Sequence, residues 1–194
     1  LGYYFYLISS NLSIMSRYPI DETIQLFRSF NSGGALIRIS EEQQIAFYDI
    51  WLHYLPDVSD LNKGKAAVKK YEEDEAQTRI PEIREILKQM TPHTAQSAET
   101  PVILVGDFNC DSHLDWNEQA RPTHLGAFAK LEVSRQVLNE GFTDSFRHLY
   151  PDVLLNQGAT WSPLINLGSK KLSCLPQRID YIYYKGDKLI PYRS

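Results

Sequence analysis

Val-Ile-Leu-Val-Gly-Asp-Phe-Asn, residues 102 to 109, is an apolar run that ends abruptly in a turn carrying a carboxylate and an amide two positions apart. Val102 to Val105 are too short and too β-branched a run for a helix, and they read as a buried strand. Gly106 then allows a tight turn or a close backbone approach to a ligand. Period-two geometry puts Asp107 and Asn109 on one face of the strand end. A carboxylate can bind Mg²⁺ or orient a water, and an amide can donate to a phosphate oxygen, a pairing suited to hydrolysis at phosphorus. Asp and Asn after Gly are also ordinary turn residues, so these residues alone leave catalysis and turn formation both open.

The bulk properties bound the answer. A chain of 194 residues fits one domain with a sizeable core, and 43% hydrophobic with 23% charged residues is a soluble globular composition. Cys110 and Cys174 make no disulfide framework and have no metal-ligand spacing. A net charge of −4 argues against a protein that tracks a long nucleic-acid backbone, although a bound divalent cation would change the local field. No apolar run approaches the roughly 18 to 20 residues of a spanning helix. The N-terminus, Leu-Gly-Tyr-Tyr-Phe-Tyr, lacks Met, a basic leader and a cleavage site, so the expectation is a chain that starts inside a larger protein, with its compartment unknown.

Short strand-like runs alternate with turns. Leu12 to Met15 lead into Ser16-Arg17-Tyr18-Pro19, where Pro restricts the residue before it to extended geometry. Ala35 to Ile39 and Ile45 to Leu52 alternate and are expected to pair as antiparallel strands. From Leu61 to Gln89 partly helical spacing predicts one helix, or two broken near Pro81, covering a sheet; the charge run Lys69 to Glu75 reads as its solvated face. Thr91 to Thr100 reads as a polar loop, Leu125 to Glu140 contains a helix closed by Gly141, and Gly158 to Trp161 begins another extended element. Arg178 to Lys185 is the last strand. The expected class is α+β, with two antiparallel-rich sheets face to face and helices outside.

Two further constellations carry chemistry. In Arg178-Ile-Asp-Tyr-Ile-Tyr-Tyr, alternation puts Ile179, Tyr181 and Tyr183 on one face and Arg178, Asp180 and Ile182 on the other. Asp180 needs solvent or a partner: a His would make a general base or a phosphate-binding dyad, whereas Arg178 would make an exposed ion pair. His53, in Trp51-Leu-His-Tyr-Leu-Pro56, closes an alternating strand and is either catalytic or an ordinary hydrogen-bonded surface residue. Asp111, His113 and Asp115 alternate and could rim a site or stabilise a turn, while His93, His124 and His148 suggest no metal site.

Together these pieces resemble the endonuclease/exonuclease/phosphatase family, which includes DNase I, abasic-site endonucleases, sphingomyelinases and inositol-polyphosphate phosphatases. The matching stretches occur in the family's order: Asn11 to Ile20, the strand ending in His53, Gly106-Asp-Phe-Asn109, Asp144-Ser-Phe-Arg147, Ala159-Thr-Trp161 and Arg178-Ile-Asp-Tyr-Ile182. The resemblance covers nearly all of the chain and implies a DNase I-like four-layer α/β/β/α sandwich. It implies that Asp107 orients or deprotonates the attacking water near a metal ion that it could ligate, and that Asn109 hydrogen-bonds the scissile phosphate. It implies that His53 contacts a phosphate oxygen, as on the DNase I and sphingomyelinase side of the family, that Asp180 orients a catalytic His, and that Mg²⁺ or Mn²⁺ acts as Lewis acid.

The family's metal-binding Glu and first-strand Asn belong upstream of Leu1, and its Ser-Asp-His ending belongs beyond Ser194. Residues 1–194 are therefore expected to be a single domain of this type, truncated at both ends, incomplete as a sandwich and weak or inactive alone. Exposed strand edges would invite self-association. The expected partner is a phosphate ester of nucleic acid, lipid or sugar, and no membrane span is expected. The alternatives are a non-catalytic binding module on the same sandwich and an unrelated α+β interaction domain. Trp116 and Trp161 could border a pocket, or be buried structural residues.

Overall fold

Alternating side chains build two sheets that share one face. In the computed structural model, which describes residues 2–26, 28–162 and 176–193, β1 (Tyr4–Leu7) and β2 (Ser13–Ser16) pair antiparallel. The strands β3 (Ile20–Gln25), β4 (Ser32–Arg38), β5 (Gln44–Trp51), β6 (Val102–Asp107), β7 (Thr143–Asp144) and β8 (Asp180–Lys185) make a second sheet, in the spatial order β3-β4-β5-β6-β8-β7. Every pair in it is antiparallel except β5 with β6. A parallel pair needs a long crossover, and this one contains α1 (Lys65–Glu75) and α2 (Arg79–Thr94).

The pleat sorts β5 cleanly. Ala46, Tyr48 and Ile50 are buried in the main core with Val102 and Leu104 of β6, Tyr181 and Tyr183 of β8, and the apolar stripe of α2 from Ile80 to Met90. The helix α3 (Glu132–Asn139) adds Val133 and Val137 to the same core. Ile45 and Phe47 point the other way, into a smaller cluster with Ile14 of β2 and Ala35 and Ile37 of β4. The layers among the described residues are therefore helices, the six-stranded sheet and the β1–β2 pair, three of the four layers expected. A short helix, α4 (Ser145–Leu149), follows β7 and packs on β8. No helix among the described residues is long and apolar enough to cross a membrane.

Several boundaries differ from the sequence reading. The break in the first helical segment falls at residues 76–78, and Pro81 sits in the first turn of α2, where a missing N–H costs little. That helix continues through Pro92 to Thr94, into the stretch expected to be a loop, because Met90 and Thr94 are buried and hold its last turn down. The helix expected from Leu125 starts only at Glu132, after a left-handed Leu131 with φ 46°, but it ends as expected, with Gly141 at φ 84° donating to Leu138. The charge run forms exposed Lys69–Glu73 and Lys70–Asp74 pairs, as expected of a solvated face, but Glu75 turns inward. Cys174 lies outside the described residues, and Cys110 is a buried free thiol.

Gly106 is where the fold is least forgiving. It has φ 141°, and a Cβ there would lie 1.8 Å from the carbonyl oxygen of Ile50 on the neighbouring strand. The close approach is to protein backbone, not to a ligand. Gly106→Ala is expected to cost at least about 3 kcal/mol, from overpacking plus backbone strain. Urea unfolding measures this, and a wild-type midpoint would contradict it.

Candidate active site

The β5–β6 ladder sets Trp51 opposite Asp107, and the β6–β8 ladder sets Asp107 opposite Asp180. One row across three strands thus places two carboxylates and an indole at the same end of the sheet. The row continues beyond the strand ends: Leu52 donates its N–H to the Asp107 carbonyl at 2.9 Å. Asn109 does not follow the pleat, since β6 stops at Asp107 and Asn109 is left-handed at φ 52°. Its backbone N–H donates to the Asp107 carboxylate at 2.8 Å, and its side-chain Nδ2 donates to the Leu52 carbonyl at 2.9 Å. The turn chemistry and the placement of the amide are therefore one arrangement. A second Nδ2 hydrogen is left for an acceptor such as a phosphate oxygen.

His53 stands two residues past β5, held on both sides of its backbone. Its N–H donates to Glu82 of α2 at 2.9 Å, and its carbonyl accepts from the Arg79 guanidinium at 3.1 Å. Arg79 is fully buried, pairs with buried Glu75 and also donates to the Pro56 carbonyl at 3.0 Å. Glu82 accepts in addition from Arg28 at 2.8 Å. His53 Nδ1 lies 3.1 Å from the Leu55 nitrogen and 3.2 Å from the Leu55 carbonyl oxygen, so it is engaged by the Leu55 backbone whichever ring nitrogen carries the proton. Sequence reading passed over Arg79 and Glu82. The available signal was two charged residues within the buried stripe of an otherwise amphipathic helix, next to Ile80 and Ile83.

Arg178 corrects the strand-face reading. It is 4% exposed and does not pair with Asp180. It donates to both carboxylate oxygens of Asp144, at 3.1 and 2.8 Å, and to both of Asp115, at 2.9 and 3.1 Å. Arg147 shares Asp115 and ties down the carbonyls of Tyr150, Asn156 and Gln157. Asp144 also accepts from the Arg147 N–H as the cap of α4. The Asp-Ser-Phe-Arg and Arg-Ile-Asp stretches thus meet in a structural ion network behind the site. Asp111 belongs to that network, accepting from the Trp116 indole, Gln177 and the Arg178 N–H. Trp116 is buried, stacks on His124 at 3.8 Å and also borders a small cavity of about 50 Å³ with Asp111, Asp115 and Arg178. His113 is held by Ser134, and burial lowers its pKa to about 4, so it stays neutral.

Asp180 is exposed, and its N–H donates to Thr160 Oγ, which also takes the Ile179 N–H; Thr160 thereby fixes the start of β8. Asp107 and Asp180 line one cavity of about 320 Å³ with Gly106 and Thr160. His53 lines a neighbouring cavity with Trp51. The four expected residues share one end of the sheet but divide between two adjoining hollows. The Asp107 carboxyl is pushed up to about 6 by burial, with the charge of Asp180 adding and the Asn109 N–H opposing.

With this geometry in view, the comparisons are direct. The endonuclease/exonuclease/phosphatase family model matches residues 2–194, and the chain belongs to that family. An uncharacterized protein of Caenorhabditis elegans is 33% identical over 120 residues, 59% of this chain and 38% of that protein. The chain therefore spans well under half the length of that relative. Among solved structures, the Neisseria 3′ phosphatase NExo bound to a product DNA hairpin superposes with TM-score 0.55 at 17% identity, over 95% of this chain and 67% of that one. An AP endonuclease from Archaeoglobus fulgidus gives 0.55 at 14%, over 94% and 66%. TDP2 of D. rerio in complex with a single-strand DNA product gives 0.54 at 17%, over 98% and 65%. These establish the DNase I-like fold.

The ion network makes a prediction of its own. Arg178→Leu leaves Asp115 and Asp144 buried without their main cation, a loss of about 3 to 5 kcal/mol. Thermal unfolding of the variant reads this, and a melting temperature near that of the parent would show that the network does not hold β8 in place.

Proposed function

We propose that this chain is a divalent-metal-dependent phosphoesterase that hydrolyses phosphodiester or phosphomonoester bonds by attack of water at phosphorus. The observation that carries the reading is the single row Trp51–Asp107–Asp180, continued by Asn109 and His53 at the same sheet end. Asp107, with a carboxyl poised near neutrality, orients and deprotonates the water. Asn109, clamped by Leu52, offers its second amide hydrogen to the phosphoryl oxygen on which charge develops. His53 Nε2–H donates to another phosphate oxygen. Among the described residues no His hydrogen-bonds Asp180; its charge raises the basicity of Asp107.

Mg²⁺ or Mn²⁺ fits this donor set in a particular way. Mg²⁺ uses one or two carboxylates together with waters and substrate phosphates, and Asp107 with Asp180 is such a pair. Among the described residues no group of three or more His, Cys, Asp or Glu side chains could hold a metal by itself. When bound, the ion supplies Lewis-acid polarisation of the phosphoryl oxygen. With two carboxylates as its protein ligands, residues 1–194 alone are inferred to turn over weakly. That sparse donor set also favours the second reading, a binding module on the same fold.

Hydrolysis of bis-p-nitrophenyl phosphate with Mg²⁺ separates the two. The expectation is slow, metal-stimulated turnover that Asp107→Asn lowers by about 100-fold. Turnover unaffected by that change would remove Asp107 from the chemistry, no turnover even in a longer chain containing these residues would favour binding, and fast turnover would contradict the inferred weakness.

The pH dependence follows from the same carboxylate. In the metal-free protein ionised Asp107 predominates only above about pH 6, and Asp180→Asn should lower that value by removing a like charge; a bound cation lowers it further, so the acid limb of kcat/KM should move to lower pH as Mg²⁺ is raised. The stability sign is opposite. A carboxyl whose pKa is raised on folding contributes stability that is complete below about 4 and lost as pH rises through the folded value. Asp107→Asn should flatten that slope, and pH-dependent urea melts of both proteins test it.

A further inference from the structure

Beside the carboxylate pair lies a cavity of about 440 Å³, walled by Phe30, Trp51 and Tyr54 and reached by His53 and Asn31. Its walls are planar: Phe30 and Trp51 stack at 6.3 Å with 29° between rings, and His53 and Tyr54 stack at 5.0 Å with 15°. Phe30 is 60% exposed and Tyr54 65%, so two large, largely solvent-exposed aromatic side chains line the same hollow. Apolar burial and packing give no reason for that exposure. A second, independent feature is Asn31, which is 8% exposed and whose side-chain oxygen, among the described residues, is buried with no hydrogen-bond partner. A buried acceptor without a donor is costly, and an N–H entering the cavity would satisfy it.

We propose that this cavity is a subsite for a planar heteroaromatic group bearing an N–H donor, a nucleobase, attached to the phosphate ester on which the carboxylate end acts. The proposal rests on the phosphoesterase reading and gives it a substrate class. Trp51 connects the two halves, lining the cavity while standing opposite Asp107 in the ladder, and His53 lies between the base and the phosphate. Aromatic faces supply stacking without sequence preference, and Asn31 supplies the one directional contact. A phenyl ester would stack but leave Asn31 unsatisfied, whereas a sugar phosphate offers hydroxyl donors but no planar face to stack, and a lipid chain offers neither.

Binding, not turnover, tests this. Titration calorimetry with adenosine 5′-monophosphate, phenyl phosphate and ribose 5-phosphate should rank them in that order, the nucleotide at least about ten-fold tighter than the sugar phosphate. Phe30→Ala combined with Tyr54→Ala should remove most of that preference, and Asn31→Ala should bring the nucleotide down to phenyl phosphate. If the double variant loses its fold, Tyr54→Ala alone, at an exposed position, should still weaken nucleotide binding while leaving ribose 5-phosphate unchanged. Equal affinity for nucleotide and sugar phosphate overturns the subsite, as does a nucleotide preference indifferent to these changes. Turnover of bis-p-nitrophenyl phosphate by the unaltered protein reports on the phosphoesterase reading separately, since it is read without any change at the cavity.

Discussion

The parallel pairing of β5 with β6 is the constraint on which the rest of the molecule depends. Only that ladder, closed at its end by the Leu52 N–H on the Asp107 carbonyl, brings Trp51 and Asp107, 56 positions apart, to one end of the sheet. Its closeness at Gly106 admits no side chain. The crossover that parallel strands require is then put to use, because α2 within it carries Arg79 and Glu82 back to the His53 backbone. The topology and the placement of the site are thus the same fact viewed at two scales.

Charge is distributed with a similar economy. The buried cations Arg79, Arg147 and Arg178 each bind backbone carbonyls or carboxylates in loops next to the site; Arg178 also borders the Asp107–Asp180 cavity, but its guanidinium is buried and committed to Asp115 and Asp144. Buried pairs of this kind add little net stability over an apolar replacement, but they penalise any rearrangement that would leave one charge unpaired. Their effect is to specify loop conformations that a small apolar contact could not. At the sheet end, burial holds Asp107 with a raised pKa against the Asn109 N–H, the Trp51 side chain and the more distant charge of Arg79.

Much of this was legible in advance. The apolar run ending at Gly106-Asp107, the antiparallel pairing of the Ala35 and Ile45 segments, and the buried face of Ile179, Tyr181 and Tyr183 all follow from period-two patterning. The misreadings have local causes. Pro92 and the polar residues around it suggest a loop, but Met90 and Thr94 are buried and hold the helix in place. Arg178 alternates onto the exposed face only if the strand begins there; β8 begins at Asp180, and the irregular stretch before it, bridged at Gln177 to Trp161, leaves the guanidinium turned inward to Asp115 and Asp144.

By itself the sequence determined which residues have chemistry to offer and which strands carry them, because alternation and turn preference act over a few neighbouring positions. It equally determined the family, through the order of short stretches along the chain. Only the tertiary structure decided that Asp144 and Arg178 serve a structural cage, that Arg79 and Glu82 position His53, and that Phe30, Asn31 and Trp51 enclose a cavity next to Asp107. Those relations join segments from different strands and helices, and no local pattern encodes a contact whose distance is set by how the sheet twists and what packs on it.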